Sequence, residues 1–515
     1  MQRLISLVLT TFVLFAALPV HAEISDADIR RLGLAYYNRF IPYAASESAH
    51  ELSPSVLAEV EAVGRKGPVL DRYTSMAKGM ALMYLQDWNE GIEVATQLDI
   101  RLSALLFEPG DQVTINVNPV YPRDEPPQSA YRLYSRLIDK QGDVVASAEP
   151  FLVSRVEATT LMLQIPETAA SGLHTVEFQL TEDRDNGTVY YTAKRPLHVM
   201  PGIRGRLEAV GGQLEQARQR GLPSSSLRNS LSDTTLEWYL DMYRINAGLD
   251  DQTDTETLPL FLYFLMSQKN MNTGRINFSG EIELVETLAT GMLDGSDPLK
   301  TRTGDLRLAY RSSADQALVP FRMMVPDAFK PDQSYPLVIG LHGAGGTENY
   351  LMDGFDRLFP ENANRRGYIA VAVNGRGPYH GYKGKGETDV IDVMNLVQRA
   401  WPVKADNTFL TGHSMGGAGT VLVGFGNHER FAALAPIAGW HLKQHLEKAP
   451  EMPLLISAGE KDALVSVEDM RKFHQMALEL EMPDVKYIEV QGAAHVGVVN
   501  DVLVRVFDWF DQHAR

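Results

Sequence analysis

Ser414 lies in Gly412-His413-Ser414-Met415-Gly416-Gly417, after the apolar run Phe409-Leu410-Thr411 and before the small, apolar stretch Ala418 to Phe425. This reads as a strand, a sharp turn and a helix. Gly412 and Gly416 take the glycine positions of G-x-S-x-G, where the turn is too tight for side chains. A serine hydroxyl becomes a competent nucleophile only when a base takes its proton and N–H donors receive the charge that develops on the attacked oxygen. The turn lifts the hydroxyl clear of the sheet and brings the N–H of Met415 beside it, at the positive end of the next helix. Acyl transfer through Ser414 is the chemistry these residues could do.

A second oxyanion donor is expected from His342-Gly343-Ala344-Gly345-Gly346, a glycine-rich loop after the apolar run Leu337 to Leu341. Gly343 or Ala344 would pair with Met415. A phosphate cradle would need the Lys-Ser/Thr of a Walker loop, which is missing. The base expected is His495, in Gly492-Ala493-Ala494-His495-Val496-Gly497, after the run Tyr487 to Val490 and before the amphipathic stretch Val498 to His513. His474 falls within a helical pattern, His441 and His445 follow an earlier strand, and His513 lies in the tail. The acid should leave the strand Leu454 to Ala458, where Glu460 and Asp462 follow Gly459. Asp462 is preferred because Gly459-Glu460-Lys461 can then make the turn, with Glu460 as the alternative. His342, Trp440 and the two tyrosines of the polar loop Tyr379 to Gly386, Tyr379 and Tyr382, are candidates to line a substrate site. Packing or a plain loop competes with that reading at each.

The elements that must position these residues alternate. Strand candidates Leu306 to Tyr310 and Val319 to Val325 lead to three apolar runs, Leu337 to Leu341, Tyr368 to Val373 and Phe409 to Thr411, and then to Ala432 to Ile437, Leu454 to Ala458 and Tyr487 to Val490, with helical stretches between most of them. Apolar strands alternating with helices predict a parallel sheet covered on both faces, with ligands at the carboxyl ends of its strands. Each candidate residue sits at such an end.

Upstream, the hydrophobic period changes twice. Residues 23–102 show helical spacing, as in Ile29, Leu32, Tyr36 and Phe40. Residues 103–200 carry short alternating segments, Val113 to Val117, Tyr131 to Ile138, Thr160 to Ile165, His174 to Leu180 and Thr188 to Thr192, which predict an immunoglobulin-like β-sandwich. Residues 201–304 return to helical spacing through Leu207, Val210, Leu214, Leu236 to Tyr243, Leu258 to Met266 and Ile282 to Leu293, with the acidic run 250–256 as a solvated loop.

Length and composition set the outer bounds. A chain of 515 residues needs several domains, and its 44% hydrophobic content can fill their cores. Residues 1–22, with Arg3 ahead of the apolar core Leu4 to Ala17 and ending Pro19-Val20-His21-Ala22, read as a signal peptide cleaved near Ala22. Export to the periplasm or beyond follows, without a transmembrane segment in the mature chain. The absence of cysteine excludes disulfides, and a net charge of −17 argues against nucleic acid or an anionic membrane as partner.

The runs Leu341 to Gly346, Asn374-Gly375-Arg376-Gly377, Glu387-Thr388-Asp389-Val390, Gly412 to Gly417 and Phe431 to Gly439 together resemble the secreted serine esterases of the α/β-hydrolase superfamily. That group includes polyhydroxybutyrate-depolymerase-like and feruloyl-esterase-like enzymes and is related to prolyl-oligopeptidase-type catalytic domains. The resemblance covers residues 305–515 and implies a Ser414–Asp462–His495 triad, a small or oligomeric ester as substrate, and no metal or organic cofactor. Only a short connection separates Ile437 from Leu454, which leaves no room for a lipase lid. Two other readings stay open: a prolyl-oligopeptidase-like peptidase, which would need a propeller that the upstream sequence does not repeat, and a non-catalytic envelope binding or scaffold protein on the same fold.

Overall fold

The computed structural model describes residues 78, 88–119, 126–153, 158–184, 186–247, 278–377, 380–462 and 464–515. The stretch read as a signal peptide, most of the N-terminal segment read as helical, the helix read at Leu258 to Met266, the acidic run 250–256 and Tyr379 lie outside the described residues. The chain divides into two compact units. One holds the described residues up to Glu208 with those of Asp241–Phe278, and the other holds Ala209–Leu240 and Ser279–Arg515.

In the first unit the helix α1 (Glu90–Gln97) is capped by Asn89, whose side chain accepts from the N–H of Ile92, and it leads straight into a strand. Among the described residues strand structure thus starts at β1 (Leu98–Leu102), inside the span expected to be helical, because Leu98-Asp99-Ile100-Arg101-Leu102 already alternates with period two. β1 pairs antiparallel with β3 (Gln112–Pro119), and β3 with β7 (Thr159–Gln164). A second sheet joins β2 (Leu106–Phe107), β9 (Val189–Val199), β8 (Gly172–Glu182), β4 (Tyr131–Ile138) and β5 (Val144–Ser147) in that order, with β6 (Phe151–Val153) also on β4. Alternate residues of β4 are buried, and Val113, Ile115, Leu133, Leu137, Leu163, Val176 and Phe178 share one core. Only every second side chain of a strand faces that core.

The second unit is built on an eight-stranded sheet: β10 (Gly304–Arg311), β11 (Leu318–Val325), β13 (Ile369–Val373), β12 (Tyr335–Leu341), β14 (Val403–His413), β15 (Ala433–Ile437), β16 (Leu454–Gly459) and β17 (Val485–Val490), in that order across the sheet. β11 runs antiparallel to both neighbours, while β13, β12 and β14 to β17 are parallel. Every residue of β13, β15 and β16 is buried, as a sheet covered on both faces requires. The connecting helices are α5 (Tyr350–Asp353), α6 (Leu358–Arg366), α7 (Lys385–Ala400), α8 (Met415–Gly426), α9 (Lys443–Leu446), α10 (Val467–Glu479) and α11 (Gly497–His513). Ahead of them along the chain come α2 (Ile203–Gln219), α3 (Leu227–Asn246) and α4 (Phe278–Leu293).

α11 buries Val498, Val499, Val502, Leu503, Val506, Phe507, Trp509 and Phe510. That three-and-four spacing forms one apolar stripe, and Phe510 stacks on Phe409 of β14 at 4.7 Å between centroids. β14 is longer than its apolar run suggests. Its polar start, Lys404-Ala405-Asp406, extends into solvent before seven buried residues take over.

The long helix Leu227–Asn246 closes the open edge of this sheet. The backbone N–H of Ala309 on β10 donates to Thr235 Oγ1 at 3.0 Å, Thr234 Oγ1 donates to the Ala309 carbonyl at 2.6 Å, and Tyr239 donates to the Arg307 carbonyl at 3.2 Å. Such side-chain caps satisfy groups that an edge strand would otherwise offer to another chain. The helix Ile203–Gln219 precedes it, and the helix Phe278–Leu293 leads into β10.

Candidate active site

The ladder between β14 and β15 runs to the pair His413 and Ile437, and the next N–H, that of Ser414, donates to the Ile437 carbonyl at 2.9 Å. The chain then reverses. Ser414 has φ 57 and ψ −116, a conformation unfavourable for a residue with a Cβ, and α8 begins at Met415. Two glycines permit this. A Cβ on Gly412 would lie 2.4 Å from the Gly416 carbonyl oxygen, and one on Gly416 would lie 2.2 Å from that of Leu341. The first N–H groups of α8 have no partner within the helix and point toward the serine end.

Ser414, His495 and Asp462 lie together. Ser414 Oγ is 2.9 Å from His495 Nε2, and His495 Nδ1 is 2.7 Å from Asp462 Oδ2. Because the carboxylate can only accept, Nδ1 carries the proton and Nε2 is left to accept from the serine. The Asp462 and His495 side chains are buried, and the remaining carboxylate oxygen, Oδ1, accepts the N–H groups of Leu464 and Val465 at 2.8 Å each. The two loops leave paired strands. β16 and β17 are in register to Gly459 and Val490, after which Glu460 N–H donates to the Val490 carbonyl and Lys461 N–H to that of Ala493. Of the two acids considered, Asp462 meets the histidine. Glu460 instead accepts the Gly492 N–H at 2.7 Å.

Gly343 stands beside the serine, since a Cβ built on it would be 3.4 Å from Ser414 Cβ. Ala344 follows it, half-buried, in the same turn. His342 and Tyr382 have other partners than the substrate-lining role expected of them. Both are buried. The His342 ring nitrogens lie 2.8 Å from the carbonyls of Gly343 and Asn374, burial pushes its pKa down, and the Tyr382 hydroxyl donates to the His342 carbonyl at 3.1 Å. These side chains are engaged in holding the glycine loop. Burial likewise pushes the Tyr382 pKa well up, so the hydroxyl keeps its proton. Trp440 is half-buried and follows Gly439, where a Cβ would lie 2.3 Å from the Ser414 carbonyl oxygen.

The sequence reading passed over His413 and Tyr350. His413 Nδ1 is 2.7 Å from the Tyr350 hydroxyl and its Nε2 is 2.8 Å from the His495 carbonyl oxygen. The only signal was a histidine directly before Ser414. Its partners are 63 and 82 residues away, beyond any local pattern.

Residues 395–506 match the family model described as PETase, PET hydrolase-like. That match spans less than a quarter of the chain and accords with the sheet order and the strained serine turn. The unit has an α/β-hydrolase fold. Among solved structures it is similar to a substrate-bound fluorophosphonate-binding serine hydrolase of Staphylococcus aureus, at 18% identity over 40% of this chain and 98% of that one, with TM-score 0.36. It is also similar to the feruloyl esterase module of Clostridium thermocellum, at 14% identity over 41% and 89% with TM-score 0.36. A third similar structure is the ferulic acid esterase of Anaeromyces mucronatus, at 19% identity over 41% and 90% with TM-score 0.35. In this unit the Ser414 turn follows the fifth strand along the chain, Asp462 follows the seventh, and His495 follows the eighth.

Proposed function

We propose that this protein is an exported serine hydrolase that cleaves carboxylic esters. The observation that carries this reading is the continuous line from Asp462 through His495 to Ser414, with contacts of 2.7 and 2.9 Å. Ser414 Oγ attacks the ester carbonyl while His495 Nε2 takes its proton, and Asp462 holds the imidazolium that forms. The oxygen of the tetrahedral intermediate is received by the N–H of Met415 and that of Gly343 or Ala344. His495 returns the proton to the departing alcohol, leaving an acyl group on Ser414. Water, deprotonated by His495, then releases the acid.

Export is supported by the signal-like stretch 1–22. No described helix is long and apolar enough to cross a membrane. The unit with nine described strands is read as an immunoglobulin-like module ahead of the hydrolase domain, with the domain limits given above. The substrate is a small or oligomeric ester.

A panel of p-nitrophenyl esters of rising acyl length, set beside p-nitroanilides of short peptides, tests the bond type. Ester turnover with little or no amide turnover is expected. Efficient peptide cleavage with slow ester hydrolysis would favour a prolyl-oligopeptidase-like peptidase instead.

A further inference from the structure

We propose that His413, itself fixed by Tyr350, is the positioning residue that holds His495 in line with Ser414. This rests on the reading of Ser414 as nucleophile. The His495 carbonyl oxygen can only accept, so the 2.8 Å contact requires a proton on His413 Nε2. In neutral imidazole the other nitrogen, Nδ1, must then accept, and the Tyr350 hydroxyl supplies that bond at 2.7 Å. The direction of every bond in the chain Tyr350, His413, His495 is thereby set.

Charge points the same way. Burial and the neighbouring His495 push the His413 pKa well down, and burial pushes that of Tyr350 up, so both side chains stay neutral. The two histidine rings lie 4.7 Å apart between centroids. His495 becomes positive in the reaction, and a second positive ring at that distance would oppose it. A neutral donor aimed at the backbone orients His495 without competing for its proton.

His413 also joins three parts of the site. It is covalently next to Ser414, it bonds the histidine loop, and a Cβ on Gly343 would lie only 3.3 Å from its Nδ1. On the far side Phe355 packs against both Tyr350 and His413, at 5.1 and 6.3 Å between centroids. Phe355, Asp356 and Arg357 all have φ between 53 and 58. Three successive left-handed residues are strained, and such strain persists only where surrounding packing fixes it.

The test uses the full chain and three variants, with circular dichroism to establish folding. Kinetics on p-nitrophenyl acetate are read beside the rate of fluorophosphonate labelling. His413→Met removes the donor and should lower kcat and the labelling rate by about tenfold to a hundredfold with KM little changed, as expected for a misplaced reacting group. His413→Gln can present an N–H near the place of Nε2 and should recover most of that loss. Tyr350→Phe removes one oxygen and should give a smaller drop of the same kind; it answers the question if His413→Met does not fold. Folded variants that turn over and label as the wild type does would overturn the proposal, as would a glutamine variant no better than methionine. If the wild-type protein neither hydrolyses nor labels, the reading of Ser414 falls and this proposal with it.

Discussion

Asp462 Oδ2 lies 2.7 Å from His495 Nδ1, while the other oxygen of the same carboxylate is held by the backbone of Leu464 and Val465. The carboxylate is therefore fixed before the histidine needs it. An amide in its place could keep the size but would tend to turn the wrong tautomer of His495 toward Ser414. Asp462→Asn is expected to lower kcat on p-nitrophenyl acetate by about 10³ to 10⁴ with the fold intact. Glu460→Gln should stay within a few-fold of wild type, because Glu460 accepts only a backbone N–H, that of Gly492 in the neighbouring loop after β17. Steady-state kinetics on the two variants check this; the opposite ranking would reassign the acid.

Gly416 lets α8 begin hard against β12. With a Cβ 2.2 Å from the Leu341 carbonyl oxygen and 2.7 Å from that of His342, Gly416→Ala must push either the helix or the glycine loop away. Stability should fall by about 3 kcal/mol, the upper end of overpacking costs. The folded fraction should hydrolyse esters poorly, since Ser414 and the Met415 N–H move with the helix. Urea denaturation with activity measured on the same samples reads both effects.

What the sequence made legible was the set of strand ends. Ser414 and Asp462 each follow an apolar run, as buried parallel strands must be, and His495 follows a mixed run on the sheet's edge strand, so their common edge could be inferred. Neither the polar start of β14 nor the early β1 follows that rule, since those residues leave the buried sheet or alternate. Tyr382 and His342 look from sequence like polar loop residues free to meet a ligand. Their burial follows from loop closure over distant backbone carbonyls, which no local pattern encodes. The same holds for Thr234, Thr235 and Tyr239, where helical spacing shows an inner face but not the strand edge it caps.

Asp315 anchors the loop after β13 by accepting from Arg376 at 2.9 and 3.0 Å and from Lys385 at 2.9 Å. The Arg376 guanidinium holds its carboxyl well below the usual range. A carboxylate whose pKa is depressed by folding adds stability that is fully present above its unfolded value, near about 4, and is lost as pH falls toward the folded value. Asp315→Asn should therefore be less stable than wild type in urea at pH 7, with the difference shrinking as the pH is lowered below about 4. A difference constant from pH 7 to pH 3 would exclude this ion pair as its source.

The role of Ser414 is tested most directly by treating the folded protein with a fluorophosphonate and weighing it intact. One adduct is predicted, mapping to Ser414 in the peptide digest and absent from a Ser414→Ala variant whose circular dichroism is unchanged. An adduct that survives in Ser414→Ala, or none on the folded wild-type protein, would contradict the assignment of Ser414 as the nucleophile.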